Sequence, residues 1–191
     1  APLVLAFDEL HELALKHKTR LAYSATVCGG LPVINVLQRD LKFATLNNLW
    51  GIFNATSNFV LQHLEQGGTM EEAILEAQRI GAAETDPTLD LSGQDTANKL
   101  YIIMKSFTDF DGTIADIEME GIQNVNAEQI QQAAQAGTKL KLVAAAFHKK
   151  GKWQLSVKPA PVAADSFMGY CDGWEMGIEV KTDLYESISM K

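Results

Sequence analysis

The feature that most constrains the fold is a change of hydrophobic period near Leu140. Before it, apolar residues recur at helical spacing: Phe7, Leu10, Leu13 and Ala14 within 4–18, Ile34, Leu37 and Leu41 after Pro32, and Met70, Ala73, Ala77 and Ile80 after Thr69. After it they alternate, as Leu142, Ala144 and Ala146, then Trp153, Leu155 and Val157, then Trp174, Met176, Ile178 and Val180, with a last run over 184–190. Lys149-Lys150-Gly151-Lys152 makes the hairpin between the first two runs. Strands also fit 20–27, 46–53 and a short piece over 117–122. Helices mixed with strands and then mostly antiparallel strands read as α+β, a mixed sheet covered by helices.

Helix punctuation is legible as well. Thr69-x-x-Glu72 and Asn126-x-x-Gln129 predict capped helix starts, and Gly67-Gly68 and Gly137 predict stops. Gly81 ends one helix, and Ser92-x-x-Asp95 predicts a capping box that opens another near Gly93. Between those points lie Glu84, Asp86, Asp90 and Asp95, followed by Lys99 four residues after Asp95. On a helix that spacing puts Asp95 and Lys99 on one face. By charge and spacing alone, two readings stay open: a solvated surface pair worth about 0.3–0.5 kcal/mol, or a site.

Composition narrows the classes. The 191 residues suffice for one sizeable domain. A net charge of −8 argues against nucleic acid and anionic membrane as partners. Two cysteines, Cys28 and Cys171, make no disulfide framework and fit a reducing, cytoplasmic setting. No apolar run approaches a membrane span, and no signal-peptide pattern opens the chain. His11, His17, His63 and His148 lack paired ligand spacing. Cys28 beside two glycines reads as a small buried turn residue before it reads as a nucleophile. No G-x-G-x-x-G follows a strand, so a dinucleotide fingerprint is absent from these residues. Both ends read as cuts within a longer chain: it opens on Ala-Pro with a helical pattern almost at once and closes on Ser-Met-Lys without a cap, tail or stop signal.

The spacing Gly81-x-x-Glu84-x-Asp86-Pro87-x-x-Asp90-x-x-Gly93-x-Asp95-x-x-x-Lys99 resembles the substrate-site segment of homoserine dehydrogenases. Ala25-Thr26-Val27-Cys28-Gly29-Gly30-Leu31-Pro32 resembles the family's A-[ST]-V-G-G-G-[IL]-P segment, and Gly51-Ile52-Phe53-Asn54-Ala55-Thr56-Ser57-Asn58 its G-I-x-N-G-T-T-N segment. The likeness covers roughly residues 1–146 and weakens beyond. Ser24 stands where the family usually has Glu, and Cys28 and Ala55 stand where it has glycine.

The resemblance implies an oxidoreductase that interconverts L-aspartate 4-semialdehyde and L-homoserine with NAD or NADP, on the route to threonine and methionine. Glu84, Asp90 and Asp95 would take the substrate ammonium, and Thr56 with the amide of Ala55 its carboxylate. Lys99, held by Asp95, would serve the reacting oxygen. Backbone carbonyls of Val27 and Gly29 would hold a monovalent cation, with Ser24 a departure there. The cofactor would be held mainly by an N-terminal domain outside this chain. Residues 28–146 would be the catalytic part, and 1–27 and 147–191 the dimerisation part of a homodimer. The alternatives are a relative acting on another small amino-acid aldehyde or ketone, and a non-catalytic dimerisation or regulatory module.

Overall fold

A computed structural model describes residues 2–191. The chain begins with α1 (Pro2–Leu5) and α2 (Phe7–Lys16), then a short turn α3 (Val33–Asn35) that widens into a π-helical stretch over Val36–Asp40. Strand β1 (Leu46–Ile52) leads into α4 (Ala55–Glu65) and α5 (Met70–Arg79). Helices α6 (Thr88–Leu91) and α7 (Gln94–Phe107) follow, then β2 (Ile117–Met119) and α8 (Ala127–Gln135). The chain closes with β3 (Thr138–Lys149), β4 (Lys152–Ala163), β5 (Gly177–Thr182) and β6 (Ile188–Met190).

The fold is α+β. Its six-stranded sheet has the order β2-β4-β3-β1-β5-β6. Among the described residues only β2 and β4 pair in parallel; the other pairs are antiparallel. The long β3–β4 hairpin pairs from Thr138↔Ala163 to Lys149↔Lys152, which is the turn the sequence predicts. Leu49, Leu142, Ala144, Ala146, Leu155, Val157, Ile178 and Val180 line the fully buried face, against the helices. Leu100, Ile103 and Met104 of α7 pack into the same core. On the opposite face Trp50 meets Phe147 edge-on at 5.5 Å, with Lys181 5.6 Å above the indole. Among the described residues no helix is long and apolar enough to cross a membrane.

Several local expectations change. Residues 20–27 form no strand: Ser24–Thr26 is a tight helical turn. Tyr23 and Val27 are buried while Leu21 is 38% exposed, so the burial period is four, which a turn satisfies. Trp174 and Met176 precede β5 instead of lying in it, because Asn58 Nδ2 lies 3.0–3.1 Å from the carbonyls of Cys171, Gly173 and Glu175 and holds them as a turn. The last strand shrinks to Ile188–Met190, since Thr182 Oγ1 accepts the amides of Leu184 and Tyr185 and folds them into a bend. Thr69–Glu72 and Asn126–Gln129 are reciprocal capping boxes as predicted. Ser92–Asp95 is not. Gly93, at φ +82°, caps α7 in a left-handed conformation, and the Asp95 carboxylate is used elsewhere.

Candidate active site

The cleft is assembled where β1 hands over to α4. Phe53 is fully buried and Asn54 is the N-cap of α4, with its Oδ1 accepting the Ser57 amide at 2.8 Å. That cap aims the start of α4, with its partly unsatisfied amides at Ala55 and Thr56, into a cavity of about 560 Å³. Across the cavity lies the 82–99 segment. Gln78 Nε2 donates to the carbonyls of Glu84 and Thr85 at 3.1 and 3.0 Å and fixes its first half. The second half is pinned where the Ile122 amide donates to the carbonyl of Leu91 at 2.7 Å. A Cβ on Gly121 would come within 2.4 Å of that carbonyl oxygen, so the close approach requires glycine.

Asp95 and Lys99 meet on one face of α7, as their four-residue spacing predicts. Lys99 Nζ lies 2.8 Å from Asp95 Oδ2 and donates to the carbonyl of Phe53 at 2.7 Å. An ammonium has three N–H groups, so one is left without a protein partner among the described residues. Asn54 Nδ2 donates to Asp90 Oδ1 at 2.7 Å and to Asp95 Oδ2 at 2.8 Å. Asp90 Oδ2 and Asp95 Oδ1 receive no hydrogen bond from the described residues. Burial pushes the Asp90 carboxyl above the usual aspartate range; the Asn54 hydrogen bond opposes this, and the charge of Asp95 adds to it. Glu84, Asp90, Asp95, Lys99, Ala55 and Thr56 all line the one cavity.

The remaining predicted positions, Val27 and Gly29, are divided between the rim and the core. Gly29 lines the cavity, whereas Val27 is fully buried behind it. Cys28 and Gly29 both take left-handed backbone, at φ +56° and +53°. The resemblance places a glycine at position 28, so the strain there is carried by a cysteine side chain. The Cys28 thiol is buried and pushed up to about 12, which makes it inert as a nucleophile. Among the described residues no group of three or more His, Cys, Asp or Glu could hold a metal ion.

Sequence reasoning passed over Asn54 and Asn98, which also line the cavity. Asn54 carried a signal, since Asn before Ala-Thr-Ser is a helix N-cap pattern. It likewise passed over a buried cluster one turn along α4. There Lys141, 1% exposed, donates to Asn58 Oδ1 at 2.9 Å and to the carbonyl of Cys171 at 2.7 Å.

The homoserine dehydrogenase family profile matches residues 32–191. The chain belongs to the homoserine dehydrogenase family. The match runs through the C-terminal strands, beyond the point near residue 146 where the likeness in sequence motifs fades. A homoserine dehydrogenase of Sulfurisphaera tokodaii is 38% identical over 184 residues, covering 96% of this chain and 56% of that protein. An NAD(+)-dependent homoserine dehydrogenase of Pseudomonas canavaninivorans is 33% identical over 165 residues, covering 86% of this chain and 47% of that protein. The crystal structure of a homoserine dehydrogenase from Thiobacillus denitrificans superposes with a TM-score of 0.92 at 29% identity, over 98% of this chain and 44% of that one. The chain therefore spans about half the length of the relatives it matches.

Proposed function

We propose that this chain is the substrate-binding half of an NAD(P)-dependent homoserine dehydrogenase, interconverting L-aspartate 4-semialdehyde and L-homoserine. The observation that carries the reading is the grouping of acids, a lysine with a spare N–H and a helix N-terminus around one cavity. A zwitterionic amino acid with a reacting oxygen needs three such partners. Glu84, Asp90 and Asp95 meet its ammonium. The amides at the start of α4, with Thr56, meet its carboxylate. The spare N–H of Lys99 is placed to hold the alcohol or aldehyde oxygen and to move its proton, while Asp95 and the Phe53 carbonyl hold the ammonium in place.

The nicotinamide, NAD or NADP, supplies or takes up the hydride and is held by sequence outside this chain. A monovalent cation would sit at the 27–29 turn, where among the described residues the carbonyls of Val27 and Gly29 accept no backbone hydrogen bond, whereas that of Cys28 takes the Leu31 amide. Ser24 then supplies no charge where the family usually has an acid. Two copies pair, burying more than about 1,000 Å². Residues 28–146 act as the catalytic part, and 1–27 and 147–191 as the dimerisation part. The pathway is threonine and methionine synthesis in the cytoplasm.

The test is homoserine oxidation by the full-length polypeptide with NAD+ and with NADP+, beside the Glu84→Gln variant. Turnover that falls in the variant through KM is expected. No homoserine turnover with either cofactor, alongside activity on another amino-acid aldehyde or ketone, would replace the substrate assigned here.

A further inference from the structure

We infer that Asn54 is a positioning residue that sets the ammonium-binding pair, its side-chain amide holding Asp90 and Asp95 side by side with one free oxygen each. The inference rests on reading the cavity as an amino-acid site. Both carboxylates accept from the same nitrogen, at 2.7 and 2.8 Å, so one amide holds two like charges as neighbours. Asn54 is 5% exposed, and water has little access to do this screening in its place.

Capping α4 does not by itself call for asparagine. Ser, Thr or Asp would accept the Ser57 amide about as well. Among cap residues only the amide accepts at the helix and also donates twice, and both donations here go to the two acids. The neighbouring carbonyl of Phe53 takes Lys99, and Ala55 opens α4. Three consecutive residues thus set the lysine, the two acids and the helix N-terminus in one frame. Without the amide, Asp90 and Asp95 separate and the free oxygens lose their common direction.

The experiment uses the full-length enzyme with Asn54→Ser, which keeps the cap acceptor and removes both donations, and Asn54→Asp, which keeps the cap and adds a third carboxylate. For Asn54→Ser, KM for homoserine is expected to rise about tenfold while kcat changes less than about threefold. Losing its donor, Asp90 titrates at higher pH, so the acid limb of kcat/KM moves to higher pH; a purely structural cap would not shift it. Asn54→Asp should raise KM at least as much. An unchanged KM with an unmoved acid limb overturns the inference.

A second reading needs no variant. In the wild-type protein the two Asn54 side-chain amide protons should exchange with solvent more slowly than those of exposed Asn124, and exchange faster as Asp90 protonates. Equal exchange overturns the inference. If the wild-type enzyme does not oxidise homoserine, the substrate assignment alone falls, and the exchange measurement still decides the role of Asn54.

Discussion

One turn apart at the start of α4, Asn54 and Asn58 each sit in a polar cluster that holds a lysine and an aspartate, and Asn54 lines the cavity. At Asn58 the side-chain amide and the Lys141 ammonium are both fully engaged. Lys141 meets Asn58 Oδ1, the carbonyl of Cys171 and, at 3.5 Å, Asp172 Oδ1. Asn58 gives its amide to the carbonyls of 171, 173 and 175, and Lys139 holds Asp172 at 2.8 Å. At Asn54 the same residue types leave two carboxylate oxygens and one ammonium N–H over. The closed cluster fixes a turn whose Trp174 stacks on Phe59 at 4.2 Å; the open one keeps capacity for a ligand. Residue type does not separate a strut from a site. Unspent hydrogen-bonding capacity does.

The strongest way to test the contrast is to remove the closed lysine. Lys141→Ala strips Asn58 Oδ1 of its donor, leaves the Cys171 carbonyl with Asn58 Nδ2 alone, and empties a buried volume. A loss of about 3 kcal/mol in denaturant unfolding is expected, with Lys141→Met recovering part by refilling the stem. A loss below about 1 kcal/mol would mean the cluster is no strut. Lys99→Ala should do the reverse in the full-length enzyme: kcat falls by roughly 10² or more with a small change in unfolding midpoint. Asp95→Ala follows in size, since it loosens the lysine without deleting it. A Lys99→Ala enzyme with near-normal kcat would remove the lysine from the reacting oxygen.

This contrast explains what the sequence could and could not reveal. Lys99 and Asp95 were legible because one helix fixes their spacing, and a four-residue step always presents a shared face. The β3–β4 hairpin was legible for the same reason: two alternating runs flank a lysine-glycine turn. Lys141 was not, since it lies in an alternating run among Leu140, Leu142 and Val143, and its partners are 83 and 30 residues away. The strand expected over 174–176 failed on that same long-range tie, which local periodicity does not contain. The 20–27 strand failed because Tyr23 is anchored from outside, its hydroxyl 2.9 Å from Ser106 Oγ. At Ser92–Asp95 a sound local pattern lost to a tertiary one, for Asp95 serves Lys99 and Asn54 instead of the helix start.

The smallest expected effect is the most discriminating, because it has opposite signs in the two clusters. Asp90 titrates above the ordinary aspartate value, chiefly because burial disfavours its charged form. Its ionised form therefore lowers stability at neutral pH, and acidification through the raised value relieves that cost. In Asp172 burial also pushes upward, but the Lys139 and Lys141 ammoniums outweigh it and hold the carboxyl below the ordinary value. Its charge therefore adds stability above the unfolded-state value, and that stability is lost as pH falls through the depressed one. Asp90→Asn, whose amide oxygen still accepts from Asn54, should keep or raise the unfolding midpoint at pH 7 while raising KM for homoserine. Its difference from wild type should shrink on acidification. Asp172→Asn should lower the midpoint at pH 7, with the difference vanishing in strong acid. Calorimetric midpoints of both variants between roughly pH 3 and pH 8 settle the matter. If Asp90→Asn loses stability as Asp172→Asn does, Asp90 is a second strut, and the ammonium site reduces to Glu84 and Asp95.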